Sequence, residues 1–297
     1  MSESFDQFRL SRVSRSYWRV TFDHAPINLL DDNSVPEFER LLDLAEAETD
    51  LKVLVFDSAN PEFFLAHFSP SAGYKNLTGK AASGHYRWTE VIQRLARLPA
   101  VSIAAVRGRA RGGGAEFALS CDIQFASHER AIFAQIEAGA SMIAIGGAIE
   151  RLPQLVGRSR ALEILLGSDD FDAGLAERYG WINRAIPDAE FEAFVEAFAQ
   201  RVASFDSQAL RETKRLVNLR AGGPTPEDFD DTAATFYGQP WPGTAARFPK
   251  LIELGSGQHS DLELNFGRRL GDLWRAEDWQ DPGQTGETGS QAARPVQ

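Results

Sequence analysis

Polar and apolar residues alternate along Tyr17-Trp18-Arg19-Val20-Thr21-Phe22, which predicts a half-buried strand that ends at His24-Ala25-Pro26. Residues 34–48 then place Phe38, Leu41, Leu42 and Leu44 at helical spacing, with Ser34 as the expected N-cap and Glu37 as its capping-box partner. The run at 51–56, closed by Asp57-Ser58, reads as a second, buried strand. Strand, helix and strand in quick succession indicate an α/β architecture. Residues 60–71 form a loop with more apolar side chains than a solvated loop carries, and an apolar helix follows at 86–98. At 101–106, Val101, Ile103, Ala104, Ala105 and Val106 make a strand covered on both faces, after which Arg107 to Arg111 are expected to turn. Short strands at 123–126 and 131–134 flank a turn, Glu137 closes the second, and helices are expected at 148–156, 159–166 and 173–179. From Asp188 onward the pattern is almost wholly helical, with pieces at 227–237 and 248–254 interrupted by Pro240, Pro242 and Pro249, and a last amphipathic stretch at 261–274. Beyond Trp279 no large apolar side chain remains to be buried, so that tail is expected to be disordered.

Charge and composition narrow the function. A net charge of -11 disfavours nucleic acid and anionic membranes as partners, because both call for a basic face. The single Cys121 excludes an internal disulfide or a cysteine metal cluster and suits a reducing cytoplasm. The polar opening MSESFDQFRLSR has no apolar h-region, so no secretory leader is expected, and no apolar run approaches the roughly 18 residues of a bilayer span. Histidines at 24, 67, 85, 128 and 259 form no i, i+4 pair, so no metal site is expected.

The stretch PAVSIAAVRGRARGGGAEFALSC carries the chemistry. Gly112, Gly113 and Gly114 let another molecule approach the backbone, and the helix that follows points unpaired N–H groups toward it, which suits a developing negative charge. Glu116, one turn in, is a candidate proton carrier; its bland alternative is a residue that merely complements the helix dipole. A phosphate-binding Walker loop is excluded because Ala115-Glu116 replaces the Lys-Ser/Thr pair, and the Gly-x-Gly core of a dinucleotide fingerprint is missing. Ser141 has no nucleophile elbow around it.

Five stretches in order resemble the crotonase family, the enoyl-CoA hydratase/isomerase superfamily, over roughly residues 15–220: Pro26-Ile27-Asn28-Leu29-Leu30, Phe64-Leu65-Ala66-His67-Phe68-Ser69, the strand from Pro99 leading to Gly112-Gly113-Gly114-Ala115-Glu116, Cys121-Asp122-Ile123, and Phe133-Ala134-Gln135-Ile136-Glu137. The resemblance implies an α/β spiral of repeated ββα units over 1–200 as the acyl-CoA-binding core, and a helical region at 201–278 that assembles a homotrimer or a dimer of trimers. The substrate it implies is an acyl-CoA thioester, so coenzyme A belongs to the substrate and no separate cofactor is expected. By position, the oxyanion hole falls to the amides of Phe68 and Gly113, and the two acid/base glutamates to Glu116 and Glu137. Ala66, His67, Gly112, Gly146 and Arg269 are the further substrate-binding candidates. Both glutamates are present, so hydration of a 2,3-unsaturated thioester is the favoured reaction. An isomerase or hydrolase on the same pocket, or an inactive acyl-CoA-binding protein, is the alternative.

The chain departs from the family pattern at three places. Ala66-His67-Phe68-Ser69 stands where a small-Gly-small-Asp run is usual, so Phe68 narrows the acyl pocket or stacks on an aromatic acyl group, and His67 fills space or forms hydrogen bonds in preference to acting as an acid or base. The segment 139–147 keeps Gly146-Gly147 but lacks the expected proline and preceding glycine at 144 and 145. Near the C-terminus only Phe266 with Arg268 and Arg269 matches a nucleotide-contacting pattern, and an exposed basic pair can equally be a solvated helix face.

Overall fold

The structure is a computed structural model in which residues 4–71 and 75–274 are described; the tail expected to be disordered beyond Trp279 lies outside them. Two sheets carry the chain. In the larger, the strands run in the order Phe8–Arg12, Tyr17–Phe22, Val53–Ser58, Val101–Val106, Ile123–Ser127 and Arg184–Ile186, parallel except for the antiparallel first pair. The smaller one orders Phe63–Leu65, Arg109–Arg111, Ile132–Ala134 and Phe171–Asp172, antiparallel only at its last pair. The strands beginning at Val53, Val101 and Ile123 are each followed within a few residues by a strand of the smaller sheet and then by a helix, so the chain winds as the expected spiral of ββα turns.

The apolar runs follow from burial on both faces. Val53, Val55, Ile103, Ala105 and Phe125 pack with Phe191, Val195 and Ala199 of the helix Asp188–Ala203, while Leu54, Phe56, Ala104 and Val106 enter the main core on the other side. In that core Phe117 stacks on Phe38 at 4.8 Å and meets Phe56 edge-on at 4.9 Å. Burying such a ring contributes about 1.5–3 kcal/mol. Here it anchors the helix Gly113–Ser120, and with it Glu116.

That helix lies so close to the strand Phe63–Leu65 that a Cβ on Gly114 would run into the Leu65 carbonyl. Since the obstacle is backbone, Gly114→Ala is expected to lower stability by about 1–3 kcal/mol or more, the range for overpacking a rigid site. A urea midpoint equal to that of the parent protein would contradict this.

Several expectations need correction. Ser34 is not the N-cap of its helix. Asn33 precedes the helix Ser34–Ala47 without a side-chain capping bond, and the Glu37 carboxylate instead accepts the amides of Asp6 and Gln7 at 2.7 and 3.0 Å, fastening the start of the first strand. That strand, Phe8–Arg12, escapes periodicity because only Phe8 is buried in it. Residues 107–111 do not simply turn: Arg109–Arg111 is a strand, and the buried Arg111 guanidinium is held by Asp170 at 2.7 and 2.8 Å and by the Glu263 carbonyl. Pro242 opens the helix Pro242–Glu253 rather than interrupting it, since the missing N–H of a first-turn proline needs no partner. The stretch 261–274 divides at Asn265 into the helices Asp261–Leu264 and Phe266–Leu273.

Candidate active site

A cavity of about 380 Å³ opens where the glycine-led helix, the loop at 66–70 and the loop after the strand Ile132–Ala134 meet the C-terminal helices. Gly112 takes φ 48°, a left-handed conformation that favours glycine and turns the chain abruptly from strand Arg109–Arg111 into the helix Gly113–Ser120. Glu116 is therefore in the first turn. It is 2% exposed, and its Oε1 accepts the amides of Gly146 at 2.7 Å and Ala148 at 3.3 Å. A Cβ at Gly146 would strike that same carboxyl group, so the bare backbone there is what lets Glu116 seat.

Glu137 lies on the loop beyond the other strand, its carbonyl accepting the amides of Ala140 at 3.0 Å and Met142 at 2.9 Å, which rolls the loop into a tight turn. Its Oε2 is buried with no hydrogen-bond partner among the described residues. Its Oε1 lies over Gly112, where a Cβ would come within 2.9 Å. Burial raises the Glu116 carboxyl well above the ordinary carboxylate range, and the neighbouring charge of Glu137 raises it further, against the pull of the Gly146 and Ala148 amides. Burial likewise lifts Glu137 to about 7, opposed by nearby backbone amides and by the charge of His67. Burial thus favours the protonated form of both carboxyls, and the charge of Glu137 adds to that effect at Glu116.

The backbone supplies the complementary donors. The Leu30 amide donates to the His67 carbonyl at 2.9 Å and the Leu30 carbonyl accepts from Ser69 at 2.7 Å, so Leu30 engages the chain on both sides of Phe68. In that parallel bridge the Phe68 N–H faces away from Leu30. The amides of Phe68 and Gly113 donate to no protein acceptor among the described residues, and both residues line the cavity. The Phe68 ring covers the Cα of Gly113, where a Cβ would approach it to 2.7 Å, and stands edge-on to Trp88 at 5.0 Å.

Of the candidates read from the sequence, Phe68, His67, Gly113, Glu116 and Glu137 line this one cavity. Ala66, Gly112 and Gly146 lie just behind it: Ala66 is held on both sides of its backbone by the Asn28 carbonyl and the Arg111 amide, at 3.1 and 3.0 Å. Arg269 lies outside the lining and pairs with Asp261 at 3.3 Å. The far wall was not anticipated. Phe236, Tyr237, Trp241, Phe248, Leu251 and Phe266 come from the helices assigned to oligomerisation, and an excess of aromatic residues over what solvated helices require was the available signal. Thr244 Oγ1 also donates to the carbonyls of Ala140 and Ser141, at 3.2 and 2.8 Å, clamping the Glu137 loop.

A larger groove of about 880 Å³ runs under the helix Ser207–Ala221, but neither glutamate reaches it, and chemistry follows the converging carboxyls rather than volume. Among the described residues there is no cluster of metal-ligating side chains and no helix long and apolar enough to cross a membrane.

Known proteins share this fold. A crystal structure of a "putative enoyl-CoA hydratase" from Streptomyces avermitilis superposes with a TM-score of 0.85 at 37% identity, over 91% of this chain and 98% of that one. The short-chain-enoyl-CoA hydratase of Clostridium acetobutylicum is 28% identical over 192 residues, which is 65% of this chain and 73% of the relative. A monofunctional enoyl CoA isomerase from M. smegmatis superposes with a TM-score of 0.61 at 27% identity, over 75% of this chain and 97% of its own. The family model for enoyl-CoA hydratase/isomerase matches residues 13–238. With its ββα spiral and a glycine-led helix carrying Glu116 into the cavity, the chain belongs to the enoyl-CoA hydratase/isomerase family and has the crotonase fold.

Proposed function

We propose that the protein hydrates a 2,3-unsaturated acyl-CoA thioester to the 3-hydroxyacyl-CoA. The thioester oxygen accepts the amides of Phe68 and Gly113. Glu137, ionised, takes a proton from water as the water oxygen bonds to C3, and the π electrons of the double bond move onto the thioester oxygen. Glu116, protonated, then delivers its proton to C2 as the enolate collapses. The proton gained by Glu137 returns to Glu116 to complete the cycle. Fixed amides aimed at the oxygen favour the enolate over the neutral thioester, and so lower the barrier rather than only binding substrate.

One observation carries this reading: two glutamates with buried carboxyl oxygens, Glu116 and Glu137, line the same cavity. Moving a double bond needs a single proton carrier, and a protein that merely bound acyl-CoA would gain nothing from the desolvation of two carboxyls. The exposed Leu216, Val217 and Leu219 on the helix Ser207–Ala221 suit the proposed trimeric or hexameric assembly.

The test is incubation with trans-2-enoyl-CoAs in ¹⁸O-labelled water. Loss of the conjugated thioester's absorbance with one ¹⁸O in the product supports hydration; a shifted double bond without label supports the isomerase. Because the acyl wall is apolar, a tail ending in a carboxylate is expected to lose about 10²-fold in kcat/KM against an apolar tail of equal length, the cost of burying an unpaired charge.

A further inference from the structure

His67 occupies a position where the family pattern has no imidazole, and the structure gives it two partners. It is 5% exposed. Its Nδ1 lies 2.8 Å from the Phe68 carbonyl oxygen, and its Nε2 lies 2.9 Å from Oε1 of Glu263. A carbonyl oxygen only accepts, so Nδ1 carries a hydrogen. Glu263 Oε1 already accepts the Gly257 amide at 2.8 Å and the Ser256 hydroxyl at 3.1 Å, which makes it an acceptor as well. Nε2 therefore also carries a hydrogen, since a neutral ring would leave two acceptors facing each other without water.

We propose that His67, held as an imidazolium by Glu263, is a positioning residue for the reaction: it pins the Phe68 turn so that the Phe68 N–H stays aimed into the cavity, and it sets a positive charge in the cavity wall that also carries Glu137. The inference rests on the hydration reading above. The pinning is geometric. Leu30 holds both peptides flanking Phe68, through the His67 carbonyl and the Ser69 amide, and the imidazolium adds a second hold on the later one through the Phe68 carbonyl, the side of that peptide that Leu30 does not reach. The electrostatics agree: burial would lower His67, but the Glu263 carboxylate and the bond to the Phe68 carbonyl carry it above its ordinary value. Burial raises Glu263 in turn, and the imidazolium outweighs it and holds the carboxylate low.

The charged groups around the pair are few. Glu263 faces His67 from the helix Asp261–Leu264, Arg111 from the strand Arg109–Arg111 with Asp170 as its own partner, and Glu137 from the loop beyond Ala134. Glu116 faces Glu137 from the other side. The ring of Phe266 closes the remaining flank of His67 at 5.3 Å. Glu263 lies 196 residues away in sequence, so this contact ties a C-terminal helix to the loop that carries Phe68.

Two variants and one spectrum test the proposal. His67→Gln and Glu263→Gln each remove the imidazolium, the second without altering any residue that lines the cavity beside the glutamates. Loss of the positive charge is expected to move the acid limb of the kcat/KM profile to higher pH by about one unit in both variants, and to lower kcat about 10-fold. The double variant is expected to match the single ones, because both break the same pair. In the unliganded wild type, ¹⁵N-detected imidazole resonances are expected to show both nitrogens of His67 protonated at pH 7. A neutral ring in that spectrum, or acid limbs that stay in place while only thermal stability falls, would overturn the proposal and leave hydration intact. Absence of hydration by the wild type would overturn the functional reading instead, with the spectrum still deciding the state of His67. If His67→Gln does not fold, Glu263→Gln and the spectrum decide alone.

Discussion

Glu116→Gln and Glu137→Gln are each expected to reduce kcat for enoyl-CoA hydration by about 10²–10⁴, the usual contribution of one positioned proton carrier. The substitution is close to isosteric. At position 116 the amide oxygen can still accept from Gly146 and Ala148, so the side chain should stay seated while losing the proton it gives to C2. At position 137 the Oε2 that points unpartnered into the buried site becomes an amide with no capacity to take a proton from water. Binding of a saturated acyl-CoA should change little in either variant. Severe loss from both is the signature of hydration; severe loss from one alone would identify an isomerase or hydrolase with a single working carboxyl.

The same pair sets the pH dependence. Glu137 serves as base only when ionised, and burial lifts it to about 7, so kcat/KM should fall as pH drops below about 7. Glu116 serves as acid only when protonated, and burial together with the charge of Glu137 holds its proton well above the usual range, so a second fall belongs at higher pH. A bell is expected, and its two limbs belong to the pair as a unit. A flat profile between pH 5 and 8 would contradict it.

The second large effect concerns the amide of Gly113. Proline at the first position of a helix costs little, because that N–H has no helical partner, and Gly112 before it sits outside the α region that proline disfavours. The obstacle is the Phe68 ring, which a side chain at 113 would strike. Phe68→Ala clears it and keeps its own amide. In that background Gly113→Ala retains the donor while Gly113→Pro removes it, so the ratio of the two isolates one hydrogen bond to the enolate oxygen. Removing such a donor is expected to lower kcat by about 10²–10³, or about 3–4 kcal/mol. Equal rates for the alanine and proline forms would exclude Gly113 as a donor.

Much of the scaffold was legible along the chain. The strands at Tyr17, Val53, Val101 and Ile123 declare themselves because each is covered on one or both faces, and burial writes itself into periodicity. Short or weakly buried elements do not. Phe8–Arg12 inserts one buried side chain, and Arg109–Arg111 spells its pairing in arginines that sequence reads as a turn. The three-residue strand Phe63–Leu65 hides in a segment that reads as an over-apolar loop.

The division at the site has a physical cause. The glycine turn, the helix after it and the place of Glu116 in its first turn are local matters, decided by backbone freedom within a few residues, and so the linear chain determined them by itself. The resemblance to a known family supplied Glu137, Phe68 and Gly113. What only the folded chain decided are the partners far apart in sequence: Glu263 beneath His67, Asp170 on Arg111, Asp261 rather than the cavity beside Arg269, and the aromatic wall of Phe236, Trp241 and Phe248. Periodicity records that a side chain is buried; which distant group it meets depends on how the C-terminal helices return to the spiral, and that is settled by shape and burial summed over the whole core.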